Sequence, residues 1–331
     1  ENDPDEKGSS AAVLLSFLKK IAILYGISVV LYLPVGMYAG HYKQITVTGI
    51  FRMLVFDGTF YHLWYFPACM LGMVIVWGCS RIGKNHQREI KNNEDRNDAN
   101  NVIFVSRNNA NRNDVKEEIL AQISEVGFRI TFVIVIILYI LGLLGDSYYG
   151  LTTQIPVLKT MYDGMFQVFS YTRNGIFFAP IFLVMGALLS KWQFRSEKIV
   201  WAGVVLSFVG MAGEGTILYL NHLQRHDSMY FFLIPAMMFL FAILIEQRGK
   251  RRKLYGTISM IVYIIHPWMI VMTRMCGKIL HIEKILTGNQ LIQFGVVTLS
   301  SFIAAAIVCT VAQKIGGRQN NEQKRDGKRL G

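Results

Sequence analysis

Eight apolar stretches recur along the chain, each approaching the roughly 20 residues a helix needs to cross about 30 Å of hydrocarbon. They run Ile21–Gly40, Tyr61–Ser80, Ile130–Gly145, Gly175–Ser190, Ile199–Leu220, Tyr230–Ile245, Leu254–Met275 and Leu291–Val311. Charged residues are crowded into the short intervals between them. This pattern predicts an all-α, polytopic transmembrane helix bundle of eight spans. A different period marks "IPVLKTMYDGMFQVFSY", where Ile155, Leu158, Met161, Met165, Phe166 and Phe169 fall at helical spacing. That stretch predicts an amphipathic helix lying on the outer leaflet, with "TGIFRMLVF" a briefer one. There is no fixed-period repeat.

Composition agrees with the pattern. Of 331 residues, 52% are hydrophobic and 17% charged, where soluble chains carry about 25% charged. The net charge of +12 would suggest nucleic acid in a soluble protein. Here no basic stretch is interleaved with stacking aromatics, and nucleic acid is not an expected partner. The lipid bilayer is. Lys19 and Lys20 precede the first span, and nine basic residues from Arg81 to Arg129 separate the second from the third. "SKWQFRSEK", "EQRGKRRK" and the tail from Lys314 to Arg329 follow the fourth, sixth and eighth spans. All fall on one side, which the positive-inside rule makes cytoplasmic, so both ends of the chain are expected inside a bacterial cell membrane. The expected organisation is a cytoplasmic segment 1–20, a membrane domain 21–311 and a basic tail or linker 312–331. Within the domain, the Asn-rich stretch 84–125 reads as a polar, mobile insertion.

Candidate chemistry lies where polar residues enter the spans. Glu214, in "VGMAGEGTILYL", and His266, in "VYIIHPW", are ionisable groups at membrane depth and the catalytic candidates. Each has a structural alternative. Glu214 can bridge helices in protonated form, and His266 can be packing glue beside a proline kink. At the outer ends, His62, Trp64, Asp146, Tyr149, Arg173 and Asn174 are candidates for a substrate-binding pocket, with Asn221 and His222 beside them. Cys69, Cys79, Cys276 and Cys309 sit in or beside apolar runs without C-x-x-C spacing, so neither a metal nor a disulfide is expected. No P-loop, H-E-x-x-H, G-x-S-x-G or dinucleotide fingerprint occurs, which excludes a soluble catalytic unit of those kinds.

"FDGTFYHLWYFPA", "GLLGDSYYGL", "YTRNGIFFAPIFLVMGALLS" and "YIIHPW", in this order, resemble the membrane-bound acyltransferase-3 superfamily. Within it, they resemble the membrane domain of VanT-type serine racemases of glycopeptide-resistant bacteria. The likeness covers Leu14 to Val311 apart from the insertion. It implies about ten helices, and a catalytic histidine on a first helix that also carries an arginine. This chain has no such pair. Its start without methionine reads as an inter-helix loop, with earlier helices missing. The resemblance further implies transfer of an acyl group, with acyl-CoA as a possible donor, to a hydroxyl acceptor. It also implies a separate pyridoxal-phosphate-dependent racemase domain, into which "EQKRDGKRLG" would lead, and no cofactor in this chain itself.

Three functions remain open on these grounds. One is an acyltransferase domain. Another is an L-serine binding or uptake module feeding a tethered racemase, with Arg173 on the carboxylate and Asp146 or Glu214 on the ammonium. The third is a purely structural anchor.

Overall fold

Each of the eight apolar stretches contains a helix, and among the described residues no strand occurs. The computed structural model describes residues 4–40, 42, 46–81, 112–189, 194, 196–246 and 253–327, in two units, Glu1–Gln247 and Arg248–Gly331. The first unit contains α1 (Pro4–Tyr38), α2 (Val47–Arg52) running into a π-helical turn (Met53–Asp57), and α3 (65–81). It continues with α4 (Arg112–Gly145), α5 (Tyr149–Thr152), α6 (Pro156–Val168), α7 (Ala179–Leu189), α8 (Glu197–Leu220) and α9 (Leu233–Glu246). The second unit holds α10 (Lys253–Ile279), α11 (Glu283–Leu286) and α12 (Gln290–Gly327).

Among the described residues, five helices are long and apolar enough to cross a membrane: Ala11–Tyr38, Gly127–Gly145, Glu197–Leu220, Tyr255–Ile279 and Gln290–Ala312. Two more, α7 and α9, are apolar but only 11 and 14 residues long. The chain is an all-α, multi-pass membrane protein. Its large exposed side chains, among them Leu206, Phe294 and Leu299, are apolar, as lipid requires of the surface it wets.

Helix limits differ from the expected boundaries in several places, three of them at the ends of the predicted segments and insertion. α1 is helical from Pro4 and apolar from Ala11, so Lys19 and Lys20 lie within the helix rather than before it. Long lysine stems let ammonium groups snorkel, which makes this tolerable. Residues 112–125 of the predicted insertion are the opening turns of α4, in agreement with the strong helix formers of "VKEEILAQI". Residues 84–111 lie outside the described set. α12 likewise continues to Gly327, through most of the predicted tail.

Tyr139, Val135 and Leu143 of α4 pack on Ile181 and Val184 of α7 and on Met229. Met185 and Leu189 of α7 join Val200 of α8 to Ala242 and Ile243 of α9. α3 approaches α7 through small residues. A Cβ on Gly72 would lie 2.8 Å from the Ala179 Cβ, and one on Gly175 only 2.5 Å from the Leu71 Cβ. α1 joins them through Tyr32, whose ring stacks on Phe60 at 4.9 Å. The predicted amphipathic helix is α6. Its buried face is centred on Tyr162, which the sequence pattern did not single out, with Met165 and Phe166 half-buried and Phe169 buried just after it. Ile155 and Met161, assigned to that face, are exposed. The Tyr162 hydroxyl donates to the Leu141 carbonyl at 2.7 Å, and burial pushes its phenol up to about 12.

Candidate functional site

The polar residues singled out from sequence gather mainly where α4 ends, α7 and α9 begin and α8 ends, but most of them serve the backbone. The turn that leads into α9 carries backbone N–H groups outside the helix, and these need partners of their own. Glu214, reaching across from α8, supplies one. Its Oε1 accepts from the Phe231 N–H at 2.7 Å and its Oε2 from the Phe232 N–H at 2.9 Å. The Tyr148 hydroxyl donates to Oε1 at 2.7 Å. Burial first, and then this bond to Glu214, push the Tyr148 phenol upward, which keeps it a donor. Glu214 thus ties α8 to Tyr148 and to the turn before α9, accepting on both oxygens, where the structural alternative had a protonated group bridging helices.

Asp146 is fully buried at the end of α4. Its Oδ1 accepts from the Ser228 N–H (2.8 Å), the Met229 N–H (3.1 Å) and the Ser147 hydroxyl (3.1 Å). Its Oδ2 accepts from the Ser228 hydroxyl at 3.1 Å. The carboxyl group clamps the α8–α9 loop to α4 and has no face open to a substrate. Asn174 behaves likewise. Its Oδ1 accepts from the Ile176 and Phe177 N–H groups at 2.8 and 3.2 Å, while its Nδ2 donates to the Tyr171 carbonyl at 2.9 Å. The segment before α7 is non-helical yet buried, so its backbone groups must be satisfied by protein. Asn174 and the Thr172 hydroxyl, which donates to the Gly142 carbonyl at 2.8 Å, do this.

His266 belongs to the second unit. α10 runs unbroken through Pro267, which lacks an N–H and so leaves the carbonyl four residues back, Tyr263, without its helical donor. His266 Nδ1 lies 2.8 Å from that carbonyl oxygen. A carbonyl only accepts, so Nδ1 carries the proton and the basic nitrogen of the ring is Nε2. The ring forms part of a groove of about 470 Å³ between α10 and α12, with Arg274, Gln293 and Ser301 among its other walls.

The remaining candidates face different settings. His62 is buried in an aromatic box, with edge-on rings of Tyr32 at 4.7 Å and of Phe60 and Tyr61 at 5.5 Å. The loop that carries it turns at Gly58, whose φ of 79° and approach of 2.4 Å to the Trp64 N exclude a side chain. The Tyr149 hydroxyl donates to Asp163 at 3.2 Å, and the ring packs edge-on against Phe166. Trp64 is edge-on to Phe178 at 5.7 Å and carries the Arg173 guanidinium over its face at 4.6 Å. The Arg173 Nε is buried without a hydrogen-bond partner among the described residues. Asn221 and His222 are exposed at the end of α8.

Trp64 and Phe178 also head a cleft of about 400 Å³ that follows α3, α7 and α9 down to Leu189 and Ile245. Among the described residues, no charged side chain lines it. Sequence reasoning missed the other polar members of this end, Tyr171, Arg225 and His226. Arg225 lies over Phe166 at 3.4 Å, and the His226 ring lies against Tyr171 at 4.4 Å, tilted by 44°. Arg225 and His226 stand in "QRHDSMYFF", where basic and aromatic residues crowd at the opening of the sixth apolar stretch, and Tyr171 lies two residues before Arg173.

Burial, with Arg225 and Arg173 adding to it against Asp146 and Asp227, holds His226 below the ordinary histidine value of 6.5. The folded state thus prefers the neutral ring more than the unfolded chain does. Its contribution is complete above 6.5 and is lost as pH falls through that value toward the lower folded one. The thermal midpoint is expected to drop on acidification through this window. Substitution His226→Phe, which retains the ring on Tyr171, is expected to flatten the response.

Fold and site together define a multi-pass helical membrane protein with an apolar intramembrane cleft and a basic, aromatic end. Residues 128–312, more than half of the chain, match the family described as an acyltransferase domain, and the chain belongs to this acyltransferase-3 family. Curated relatives add a second likeness. An amino-acid racemase of Enterococcus faecalis is 32% identical over 92% of this chain, and a second from the same species 30% over 90%. A serine/alanine racemase of Enterococcus gallinarum is 28% identical over 86%. The chain spans only about a third of these relatives, 37%, 36% and 34% of their lengths. No solved structure matches.

Proposed function

We propose that this chain is the membrane part of a VanT-type serine racemase in glycopeptide resistance, and that it transfers an acyl group to a hydroxyl acceptor at the outer face of the cell membrane. The observation that carries this is the cleft beneath Trp64. Its uncharged, aromatic and aliphatic walls suit an acyl chain and give a zwitterion nothing to bind. Asp146 and Glu214, the acids that would have held an ammonium, are both engaged with backbone N–H groups. In the reaction, the acceptor oxygen bonds to the acyl carbon and the bond from that carbon to the donor breaks. The hydroxyl proton passes to a base and from it to the leaving group. His266, with Nε2 as its basic nitrogen, is the candidate base within this chain.

The test is acyl transfer by the complete protein, from radiolabelled short- and long-chain acyl-CoA to serine and to other hydroxyl acceptors. A labelled ester, lost when His266→Gln removes the base, supports the reading. No labelled product from any donor would overturn it.

A second reading, L-serine uptake feeding a pyridoxal-phosphate-dependent racemase domain, draws on the groove of the second unit. Arg274, Gln293, Ser301 and His266 place a polar face along helices of spanning length, which is costly toward lipid and suits a small polar solute. Radiolabelled serine uptake into vesicles, unchanged by Arg274→Gln and Gln293→Leu, would sink it.

A further inference from the structure

We propose that the cleft along α3, α7 and α9 holds one tail of an anionic lipid, with the lipid phosphate on Arg173. This rests on the cleft being an acyl site and names the kind of molecule whose chain it takes.

Depth is the first argument. α7, whose full length lines the cleft, has 11 residues, a rise of about 16 Å and so about half of the ~30 Å hydrocarbon core. That is the reach of a single leaflet. Access is the second. Tyr65, Phe241 and Ile245 at the cleft's edge are 49%, 46% and 59% exposed, so a tail can enter from the side.

Charge is the third argument. The lining has no charge, yet Trp64, which heads the cleft, carries Arg173 on its face. Arg173 makes no ion pair among the described residues, and its buried Nε lacks an acceptor. A buried guanidinium N–H without an acceptor is costly, and a phosphate oxygen is the acceptor that suits it best. Arg225 stands at the same end of the unit with its charge over Phe166, also outside any ion pair among the described residues. Asp146, the buried acid of that end, is engaged with Ser147, Ser228 and Met229 and forms no ion pair with either arginine among the described residues. An apolar slot one leaflet deep with a guanidinium at its head is complementary to an anionic phospholipid.

Native mass spectrometry of the detergent-purified complete protein tests this, titrated separately with phosphatidylglycerol, phosphatidylcholine and glycerol 3-phosphate. One phosphatidylglycerol is expected to be retained, about tenfold more tightly than phosphatidylcholine, with no retention of glycerol 3-phosphate. Arg173→Gln should weaken retention about tenfold and Arg173→Lys should restore part of it. Gly186→Leu should abolish it, because a side chain there projects into open space in the cleft and leaves the helix undisturbed. Leu183→Phe is the alternative plug should Gly186→Leu lower the helicity.

Equal retention by the Arg173→Gln and plugged proteins would overturn the proposal. So would binding of glycerol 3-phosphate as tight as that of the lipid, or a dimer that carries no lipid. Retention is read without turnover. A protein that keeps the lipid but makes no ester therefore contradicts acyl transfer and leaves the lipid site standing, and the converse result separates them the other way.

Discussion

Substitution Glu214→Gln is expected to lower stability by about 3 kcal/mol and to disorder the corner between α8 and α9, beyond any effect on activity. The argument is one of counting. Three donors converge on two oxygens: the Tyr148 hydroxyl and the Phe231 N–H on Oε1, and the Phe232 N–H on Oε2. Glutamine has one oxygen. Placed at the Oε1 position, it sets its amide N–H₂ against the Phe232 N–H; flipped, it sets the amide against the Phe231 N–H. Neither backbone donor can turn away, because both belong to the turn that leads directly into α9. Tyr148→Phe removes one donor and leaves the cap, so it should cost about 1 kcal/mol. Thermal unfolding in detergent compares the two. A Glu214→Gln protein as stable as the parent, but inactive, would return Glu214 to the catalytic candidates.

The spans were legible because lipid imposes one demand, apolar side chains over a helical length. Among the described residues five helices meet it in full, while α7 and α9 meet it in composition but not in length. The helix starts were not. α7 and α9 begin several residues into their apolar runs, because the segments before them turn in non-helical backbone. Asn174 and Glu214 make those turns tolerable at membrane depth.

The same fact explains why the site was only half visible. A lone acid, amide or histidine in an apolar run marks a polar requirement, but residue type does not reveal whether the partner is a substrate or the chain's own backbone. His266 is the plainest instance, since the proline beside it both advertises a kink and creates the orphan carbonyl that its ring satisfies. Asp146 and Asn174 have the same explanation. Arg173 differs because no backbone group can be a guanidinium's counter-charge, and its buried Nε has no acceptor among the described residues.

Asp146 supplies the second large effect, and here the amide and alanine variants should part company. Oδ1 carries both backbone N–H groups, of Ser228 and Met229, whereas Oδ2 meets only the Ser228 hydroxyl. An asparagine with its oxygen at the Oδ1 position keeps the backbone bonds. The Ser228 hydroxyl can then rotate and accept from the new amide instead of donating. Asp146→Asn is therefore expected to cost about 1 kcal/mol. Asp146→Ala leaves two buried N–H groups without acceptors in a place where Asp146 and Met229 are fully enclosed. At about 1–3 kcal/mol for each, the loss is about 2–6 kcal/mol, enough to unfold a marginal domain. Thermal midpoints of the two variants, measured beside Glu214→Gln, check the contrast. The amide replacement should be severe at position 214 and mild at 146, because the second oxygen faces a fixed N–H in one case and a rotatable hydroxyl in the other. If both carboxyl groups instead acted on a substrate, the two amide variants would keep their stability and lose activity together.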